Sequence, residues 1–383
     1  MQNHWISETL ISFVFYPLAM DVLVFLLSFV IILVGCEFFT NAVEWIGKKY
    51  HLSEGAVGSV LAAVGTALPE TMIPIITILF APTDGSSEEI GVGAILGAPF
   101  MLTTLALFIC GLAVIIFAKR RKTKSLKVHK TLVQRDLRIF LIAYSFAALA
   151  AFLPPDMDWA RWIIGLSLIP LYMFYVKRTL KTGDTCADDE VDPLYCDTIA
   201  DKCFGRTGEE MPCLPDPVAR GIDKLRAHEP STRLIFFQFF AALAMIILGA
   251  YLFVEQIEML ANDLGISALV LSIIIVPIAT ELPEKFNSIL WIREGKDTFA
   301  IGNITGAMVF QSCIPVALGV LLTDWYIDLN IPEQLLSALT IGIALFSAGV
   351  LYLESKKDEV KVWGLLLGGA LYAIFIAAVF LLI

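Results

Sequence analysis

The sequence predicts an all-α membrane protein with ten transmembrane helices in two inverted five-helix repeats. Three observations support this prediction: apolar runs long enough to cross a bilayer, a one-sided distribution of basic residues, and a short motif that occurs once in each half. Of the 383 residues, 58% are hydrophobic and 17% are charged, whereas soluble globular proteins have about 25% charged residues. The mean hydropathy is +0.79.

This composition excludes a cytosolic enzyme, a nucleic-acid-binding protein and a disordered chain, which all need more polar surface. It does not fit an outer-membrane barrel, whose strands alternate in hydrophobicity over about ten residues. The apolar runs are continuous and longer, as in membrane-spanning helices. The expected spans lie near residues 20–46, 56–80, 90–118, 137–153, 159–176, 234–261, 266–291, 298–323, 331–353 and 362–383.

The basic residues orient these spans. With ten helices, 25 of the 27 Lys and Arg residues fall on one side of the membrane. Arg161 is the only basic residue of the other side, which carries nine acidic residues. The positive-inside rule then places the basic side in the cytoplasm and both termini outside. We expect a multi-pass protein of the cell (plasma or inner) membrane.

One hydrophilic segment divides the chain into a first five-helix half (1–177), a cytoplasmic loop (178–233) and a second five-helix half (234–383). An acidic run at 188–192 suggests a regulatory calcium site, but Pro193 stands where an EF-hand needs glycine and no glutamate closes the loop. The four loop cysteines are too widely spaced for a typical zinc site. We expect a solvated linker with free thiols, with a metal or redox role as the alternative.

The two halves contain matching sequences. At an offset of 214, Gly35 matches Gly249, and the run GTALPE at 65–70 matches ATELPE at 279–284. At an offset of 209, GAILGA at 93–98 matches GNITGA at 302–307. Because five helices per half is an odd number, the second half enters the membrane from the opposite side. Inverted repeats with interrupted segments at matching positions are typical of secondary transporters with a midplane site.

Glu70 and Glu284 lie well inside their predicted spans, where ionised carboxylates are costly and usually mark a pathway. Thr66 is four residues before Glu70 and Thr280 is four before Glu284, so each pair shares a helix face. Carboxylates, hydroxyls and carbonyls freed by proline are the ligands of hard cations such as Ca²⁺. The same oxygens suit Na⁺ or protons. The alternative is a pair of protonated acids that only bridge helices.

These two motifs resemble the alpha repeats of sodium/calcium exchangers, in the calcium/cation antiporter superfamily. The resemblance implies that Thr66, Glu70, Thr280 and Glu284 bind the transported ions. It also implies alternating access in which the first and sixth helices slide past the others. The family has a serine directly after the threonine of the motif. This chain has Ala67 at that position in the first half and Glu281 in the second.

Further departures occur on the third and eighth helices. Where the family carries polar residues, this chain has Ala98 and Leu102 in the first half, and Ala307 and Gln311 in the second. Gln311 is expected to reach the ion cavity directly or through water. The expected metal ligands are therefore Thr66, Glu70, Thr280, Glu281, Glu284 and Gln311.

Lys285 is a further departure, four residues after Glu281 in the order that favours a helical ion pair. On one interpretation the two satisfy each other and leave Glu70 and Glu284 to bind the ion. On the other, the ammonium occupies space and charge that a sodium ion fills in relatives, which changes the stoichiometry or favours protons.

The function predicted from the sequence is export of Ca²⁺ in exchange for Na⁺. Exchange driven by protons, of Ca²⁺ or another divalent ion, is the alternative within transport. A cation channel is the alternative from another class, but channels favour rings of carbonyls or charges around a continuous pore. An enzyme is not expected, since all four histidines fall outside the spans. The expected partners are inorganic cations and the bilayer, with no nucleic acid and no cofactor; the oligomeric state is left open.

Overall fold

A computed structural model describes residues 23–35, 37–39, 41–42, 45–46, 48–49, 67–80, 86–181, 193–196, 230–356 and 359–382. The predicted ligand Thr66, the acidic run at 188–192 and the loop cysteines Cys186, Cys203 and Cys213 lie outside these residues. The helices, in chain order, are α1 (Leu23–Phe39), α2 (Leu68–Leu79), α3 (Ser86–Met101), α4 (Leu107–Ile116), α5 (Ala118–Arg121), α6 (Lys130–Ala151), α7 (Asp158–Lys181), α8 (Thr232–Leu264), α9 (Ala268–Thr280), α10 (Leu282–Glu294), α11 (Asp297–Leu322), α12 (Pro332–Glu354) and α13 (Val362–Leu382). A π-helical turn (Leu102–Ala106) joins α3 to α4, and a 3-10 turn (Pro155–Met157) precedes α7.

Six helices among the described residues are long and apolar enough to cross a membrane: Ser87–Ile116, Pro155–Thr179, Thr232–Asp263, Asp297–Leu322, Pro332–Glu354 and Val362–Leu382. Shorter apolar helices are Leu23–Phe39, Glu70–Leu79 and Ala268–Ile278. All of them coincide with predicted spans. The protein is therefore an integral multi-pass helical membrane protein, as predicted, while the count of ten helices in two inverted repeats stays a prediction.

The fourth predicted span begins too late. Helix α6 starts at Lys130, whereas hydropathy placed the start at 137. The charged residues that suggested a loop are inside the helix, and Asp136 among them is only 1% exposed. Its carboxylate accepts hydrogen bonds from Arg135 at 3.0 Å and from Thr305 of α11 at 3.0 Å. These partners offset the free-energy cost of burying the Asp136 carboxylate. A hydropathy scale takes no account of such partners, so it assigns these residues to a loop.

Two three-residue strands, which the sequence analysis did not predict, tie together loops on the basic side. β1 (Ser125–Lys127) follows α5, and β2 (Glu359–Lys361) precedes α13. They pair antiparallel, with Leu126 opposite Val360. Near them, a buried ion pair of 2.6 Å joins Arg121 to Asp297 at the start of α11. The loops after the third, seventh and ninth predicted spans therefore meet at one end of the molecule.

The acidic loops meet one another in the same way. The Glu88 carboxylate, before the third predicted span, accepts a hydrogen bond from the Asp324 amide after the eighth. The Glu89 carboxylate accepts one from the Ser267 hydroxyl, which precedes α9. The Ile327 amide donates to the Ala151 carbonyl at the end of α6. Loops that the charge pattern places on one side of the membrane thus contact one another.

Helices α1 and α8 pack through two equivalent contacts, each between a glycine of one helix and an isoleucine of the other. A Cβ atom added at Gly35 would lie 2.9 Å from Ile246 of α8, and one added at Gly249 would lie 2.8 Å from Ile32 of α1. Both pairs obey the offset of 214, so each helix presents the same patch to the other. Glycines permit such close helix approach in membranes. The contact is what an approximate two-fold axis between the halves requires.

Beside the π-helical turn that follows α3, side-chain hydroxyls donate hydrogen bonds to backbone carbonyls. Pro99 lies inside α3 and has no amide hydrogen to donate. The Thr103 hydroxyl donates to the Pro99 carbonyl at 2.8 Å, and the Ser347 hydroxyl of α12 donates to the Thr103 carbonyl at 2.6 Å. Side-chain hydroxyls therefore give these two backbone carbonyls hydrogen-bond donors next to the π-helical turn.

Candidate ion-binding site

A helix starts at matching positions in the two halves, and we call the helix starts that follow Ala67 and Glu281 the two breaks. In the first half, α2 begins directly after Ala67, whose backbone angles are φ −87° and ψ 9°. In the second half, α9 ends and α10 begins around Glu281, with φ −84° and ψ 10°. Each break is followed by proline within the first two helical positions, where a missing amide hydrogen costs nothing. The repeat is therefore visible in the backbone conformation.

The two predicted principal ligands follow these breaks. Glu70 lies in the first turn of α2 and Glu284 in the first turn of α10. Their exposed fractions are 2% and 1%. The positive end of a helix dipole stabilises a carboxylate in its first turn. Each break therefore holds one buried acid close to a helix N-terminus.

The second break carries an additional ion pair. The Lys285 ammonium lies 3.1 Å from a Glu281 carboxylate oxygen and donates a hydrogen bond of 3.2 Å to the Pro277 carbonyl. The side chains of Lys285 and Glu281 are 4% and 1% exposed. The ion pair expected from the spacing is therefore present and fully desolvated.

Glu70 faces this pair from the opposite half. Its carboxylate lies beside the Thr280 hydroxyl and in electrostatic range of Lys285 and Glu281. The Thr280 hydroxyl donates to the Val276 carbonyl at 3.0 Å, so its oxygen keeps lone pairs for a cation. Among the described residues, no donor forms a hydrogen bond with either buried oxygen of Glu70. The structure thus brings together Glu70, Thr280, Glu281 and Lys285.

Close packing of α3 against α9 supports the cluster. A Cβ atom at Gly93 would lie 2.6 Å from the Leu269 carbonyl oxygen, and one at Gly97 would lie 2.5 Å from the Ile273 carbonyl oxygen. A backbone carbonyl cannot move aside to make room for an added Cβ atom, whereas the end of a flexible side chain can. These glycines therefore permit close packing, and this packing holds α9 in position up to the break.

The eighth predicted span contributes polar groups from another direction. Gln311 is 2% exposed on α11, which packs against α2 and α3. Asn303, on the same helix, donates from its side-chain amide to the Glu284 carbonyl at 3.4 Å. Asn303 therefore contacts a neighbouring helix, and its hydrogen bond tethers α10 at the turn that carries Glu284.

The described carboxylates do not form a cluster of three or more acidic, histidine or cysteine ligands. Within the part of the chain that the structure describes, no three side chains of His, Cys, Asp or Glu are grouped as possible metal ligands. The cluster around Glu70 contains a lysine in addition to acids. The cluster therefore combines two carboxylates with one ammonium, which compensates only part of their charge.

Sequence reasoning missed one residue of this arrangement. Thr71 is 7% exposed, and its hydroxyl donates to the Ala67 carbonyl at 2.9 Å. At the offset of 214, Thr71 corresponds to Lys285 and Ala67 corresponds to Glu281. The repeat offset could have indicated Thr71, because it pairs the two positions that follow the breaks.

Comparison with known proteins places these features in a family. The family model described as "Sodium/calcium exchanger protein" matches residues 20–180 and 234–383. The two matched segments cover most of the chain and leave out most of the central loop. The chain belongs to the sodium/calcium exchanger protein family.

Curated relatives of this family member align over almost its whole length. An uncharacterized membrane protein of Methanocaldococcus jannaschii is 24% identical over 354 residues, covering 92% of this chain and 96% of that protein. The sodium/calcium exchanger MaX1 of Methanosarcina acetivorans is 23% identical over 368 residues, covering 95% and 99%. The relatives with functional names are exchangers or antiporters. This family member is therefore a transporter and not an enzyme.

Solved structures share its fold. The H⁺/Ca²⁺ exchanger CAX superposes with a TM-score of 0.66 at 16% identity, covering 99% of this chain and 91% of that one. A sodium-calcium exchanger, NCX_Mj, superposes with a TM-score of 0.55 at 23% identity, covering 94% and 98%. At these identities the likeness concerns the fold alone.

Proposed function

We propose that this exchanger-family member is a secondary active cation antiporter that exports Ca²⁺ in exchange for Na⁺ by alternating access. The two matching helix breaks support this proposal, because each places a buried glutamate in the first turn of the helix that follows. Interrupted helices at corresponding positions of inverted halves are the usual location of transporter ion sites. A merely structural pair of acids has no need of matching breaks.

Glu70 and Glu284 are the proposed principal ligands. Thr280, Glu281 and Gln311 would supply further oxygens, and Thr66 would complete the set from the first half. Ca²⁺ takes six to eight oxygens from a flexible set of carboxylates, carbonyls and waters. The cations are the transported substrates, so the site requires no resident cofactor.

Alternating access requires a body that slides over the site. The paired helices α1 and α8 are the proposed sliding unit. Side chains such as Ile32, Phe253 and Ile257 form an apolar cluster with residues of α2, α3 and α9, separate from the main core. Apolar packing of this kind is compatible with a shear motion, in which packed helices slide past one another. The glycine contacts between α1 and α8 would keep the two helices together.

The proposed topology has ten helices, both termini outside and the loop at 178–233 in the cytoplasm of a cell that carries the protein in its plasma or inner membrane. The meeting of loops at two ends of the molecule supports it, because every contact joins loops to which the charge pattern assigns the same side. The basic end is then cytoplasmic by the positive-inside rule.

Proton-driven exchange is the second candidate within transport. It is favoured by the Glu70 carboxylate, for which the described residues supply no hydrogen-bond donor, since such a group is suited to accept a proton. A channel is less compatible with helix breaks at matching positions of two halves, because channels favour rings of carbonyls or charges around a continuous pore.

Calcium uptake into proteoliposomes under an imposed sodium gradient, a proton gradient or no gradient tests the proposal. We expect uptake only with a gradient of the coupling ion. Glu70→Gln and Glu284→Gln should each lower the initial rate by about 10-fold to 100-fold, because a charged ligand contributes about 1.5–3 kcal/mol.

Glu294→Gln is the matched control for these variants. Glu294 lies at the other end of α10, is exposed and pairs only with the exposed Lys296 among the described residues. Its replacement should leave the rate unchanged. Gradient-driven uptake that survives in both Glu70→Gln and Glu284→Gln would reject the site, and uptake that needs no gradient would indicate a channel.

A further inference from the structure

The two breaks differ at two positions that lie one helical turn apart. The first half has Ala67 and Thr71, while the second has Glu281 and Lys285. In the first half a neutral hydroxyl satisfies the Ala67 carbonyl. In the second half an ammonium and a carboxylate occupy the corresponding positions and contact each other. The divergence of the repeat has therefore added one positive and one negative charge to the site.

The groups around the Lys285 ammonium are the ligands that a free cation would choose. They are a carboxylate oxygen at 3.1 Å and a backbone carbonyl oxygen at 3.2 Å. Lysine carries a compact point charge on a flexible stem. With 4% of its side chain exposed, Lys285 holds this charge inside the protein, in range of the Glu70 carboxylate as well. The ammonium thus resembles a bound monovalent cation that cannot leave.

The total charge of the site limits what it can carry. If the proposed ligand Glu284 joins Glu70 and Glu281 in the site, and all three are ionised while Lys285 is protonated, the empty site has two net negative charges. An uncompensated charge is costly at the centre of a bilayer, so the occluded state is favoured when the load neutralises the site. One divalent cation does so, and two monovalent cations do so equally well.

We infer that Lys285 acts as a tethered monovalent cation that limits the load to one divalent or two monovalent ions and so makes the exchange electroneutral. This inference rests on the proposed antiport function. It makes Lys285 a residue that determines stoichiometry, whether the coupling ion is Na⁺ or H⁺. The same side chain in a purely structural role would stabilise the break and leave stoichiometry to other residues.

The inference is tested by the voltage dependence of calcium accumulation. The purified full-length protein is reconstituted in liposomes whose membrane potential is set by potassium and valinomycin, with the coupling-ion gradient held constant. Movement of one net charge per cycle would change the equilibrium accumulation ratio about 50-fold per 100 mV, which corresponds to about 2.3 kcal/mol. For the unaltered protein we expect a change of less than about twofold over this range.

Two variants separate charge from structure. Lys285→Met leaves three net negative charges, which three monovalent ions neutralise and a single divalent ion does not. Exchange of one divalent for three monovalent ions moves one net charge, so accumulation should become voltage-dependent by about 50-fold per 100 mV. The double variant Glu281→Ala/Lys285→Thr reproduces the residues of the first half and keeps two net charges. It should therefore remain insensitive to voltage.

Each result decides a different question. Absence of gradient-driven uptake by the unaltered protein would contradict the proposed function. Gradient-driven uptake that responds to voltage in the unaltered protein would overturn the inference about Lys285 and leave the antiport function standing. The inference about Lys285 is also overturned if Lys285→Met is folded, as judged by a monodisperse size-exclusion profile, and transports slowly without voltage dependence. If Lys285→Met does not fold, voltage-dependent accumulation by either the unaltered protein or the double variant overturns the inference, since both must be electroneutral.

Discussion

At the break of the first half, Ala67 and Thr71 lie one turn apart, and a hydroxyl donates to a carbonyl. At the break of the second half, Glu281 and Lys285 occupy the same positions and form a buried ion pair. The backbone angles at Ala67 and Glu281 agree within a few degrees. The comparison teaches that the duplicated backbone has been kept while the chemistry at its breaks has diverged.

The largest expected effect comes from breaking the pair in the second half. Glu281→Ala leaves the Lys285 ammonium buried without its carboxylate, which costs about 3–5 kcal/mol when one partner of a buried ion pair is removed. We expect a marked fall in the midpoint of thermal unfolding in detergent.

The double variant Glu281→Ala/Lys285→Thr is its control, because it removes both charges and restores the first-half residues. It should recover most of the lost stability. If it were as unstable as Glu281→Ala alone, the pair would not be the cause.

A smaller effect is expected where the halves are alike. Gly35→Ala and Gly249→Ala each place a Cβ atom within 3 Å of an isoleucine of the partner helix. Overpacking of this kind costs about 1–3 kcal/mol. Because the two contacts are related by the repeat, both variants should lower the unfolding midpoint by similar amounts.

Gly342→Ala is the control for this pair, since Gly342 is exposed and a Cβ atom there would meet no described atom within 4 Å. It should be neutral or slightly stabilising, because alanine favours a helix. A large effect at Gly35 with none at Gly249 would argue against the symmetric contact.

Thr71→Val measures what the first-half counterpart of Lys285 contributes. The change keeps the shape of the side chain and removes the hydroxyl that donates to the Ala67 carbonyl. We expect a loss of about 0.5–1.5 kcal/mol, as for an ordinary hydrogen bond, seen as a modest shift in the unfolding midpoint. A loss as large as that of Glu281→Ala would mean that the two breaks do not differ in the way their charges suggest.

The smallest expected change in stability comes from removing an exposed ion pair of the second half, which serves as the baseline for the buried pair. Glu294 and Lys296 lie 3.3 Å apart, with about half of each side chain exposed. Glu294→Gln should change stability by less than about 1 kcal/mol, because water and salt screen such a pair. Comparison of its unfolding midpoint with that of Glu281→Ala isolates the contribution of burial.

Much of the fold could be predicted from hydropathy. The ninth span was expected at 331–353 and the helix runs over Pro332–Glu354. The fourth was expected at 137–153 and the helix begins at Lys130. Hydropathy fails there because Asp136 is stabilised inside the protein by Arg135 and Thr305, and such partners are distant or ambiguous in a sequence.

The site was only partly predictable. The spacing of Glu281 and Lys285 predicted their ion pair, because partners four residues apart share a helix face. The expected meeting of Glu70 with Glu284 stays a prediction, while the structure places Glu70 in the field of Glu281 and Lys285. Which second-half acid faces Glu70 depends on how α2 packs against the helices of the second half, and a repeat offset does not specify that.

By itself the amino-acid sequence determined the membrane class, the approximate spans, the repeat and the buried acids, because these follow from local hydrophobicity and from the cost of charge in a bilayer. Only the tertiary structure decided that α1 and α8 pack through reciprocal glycines. It also decided that the Glu70 carboxylate shares its pocket with an ammonium. Both depend on distances between segments more than 200 residues apart in the chain, and those distances are set by the packing of whole helices.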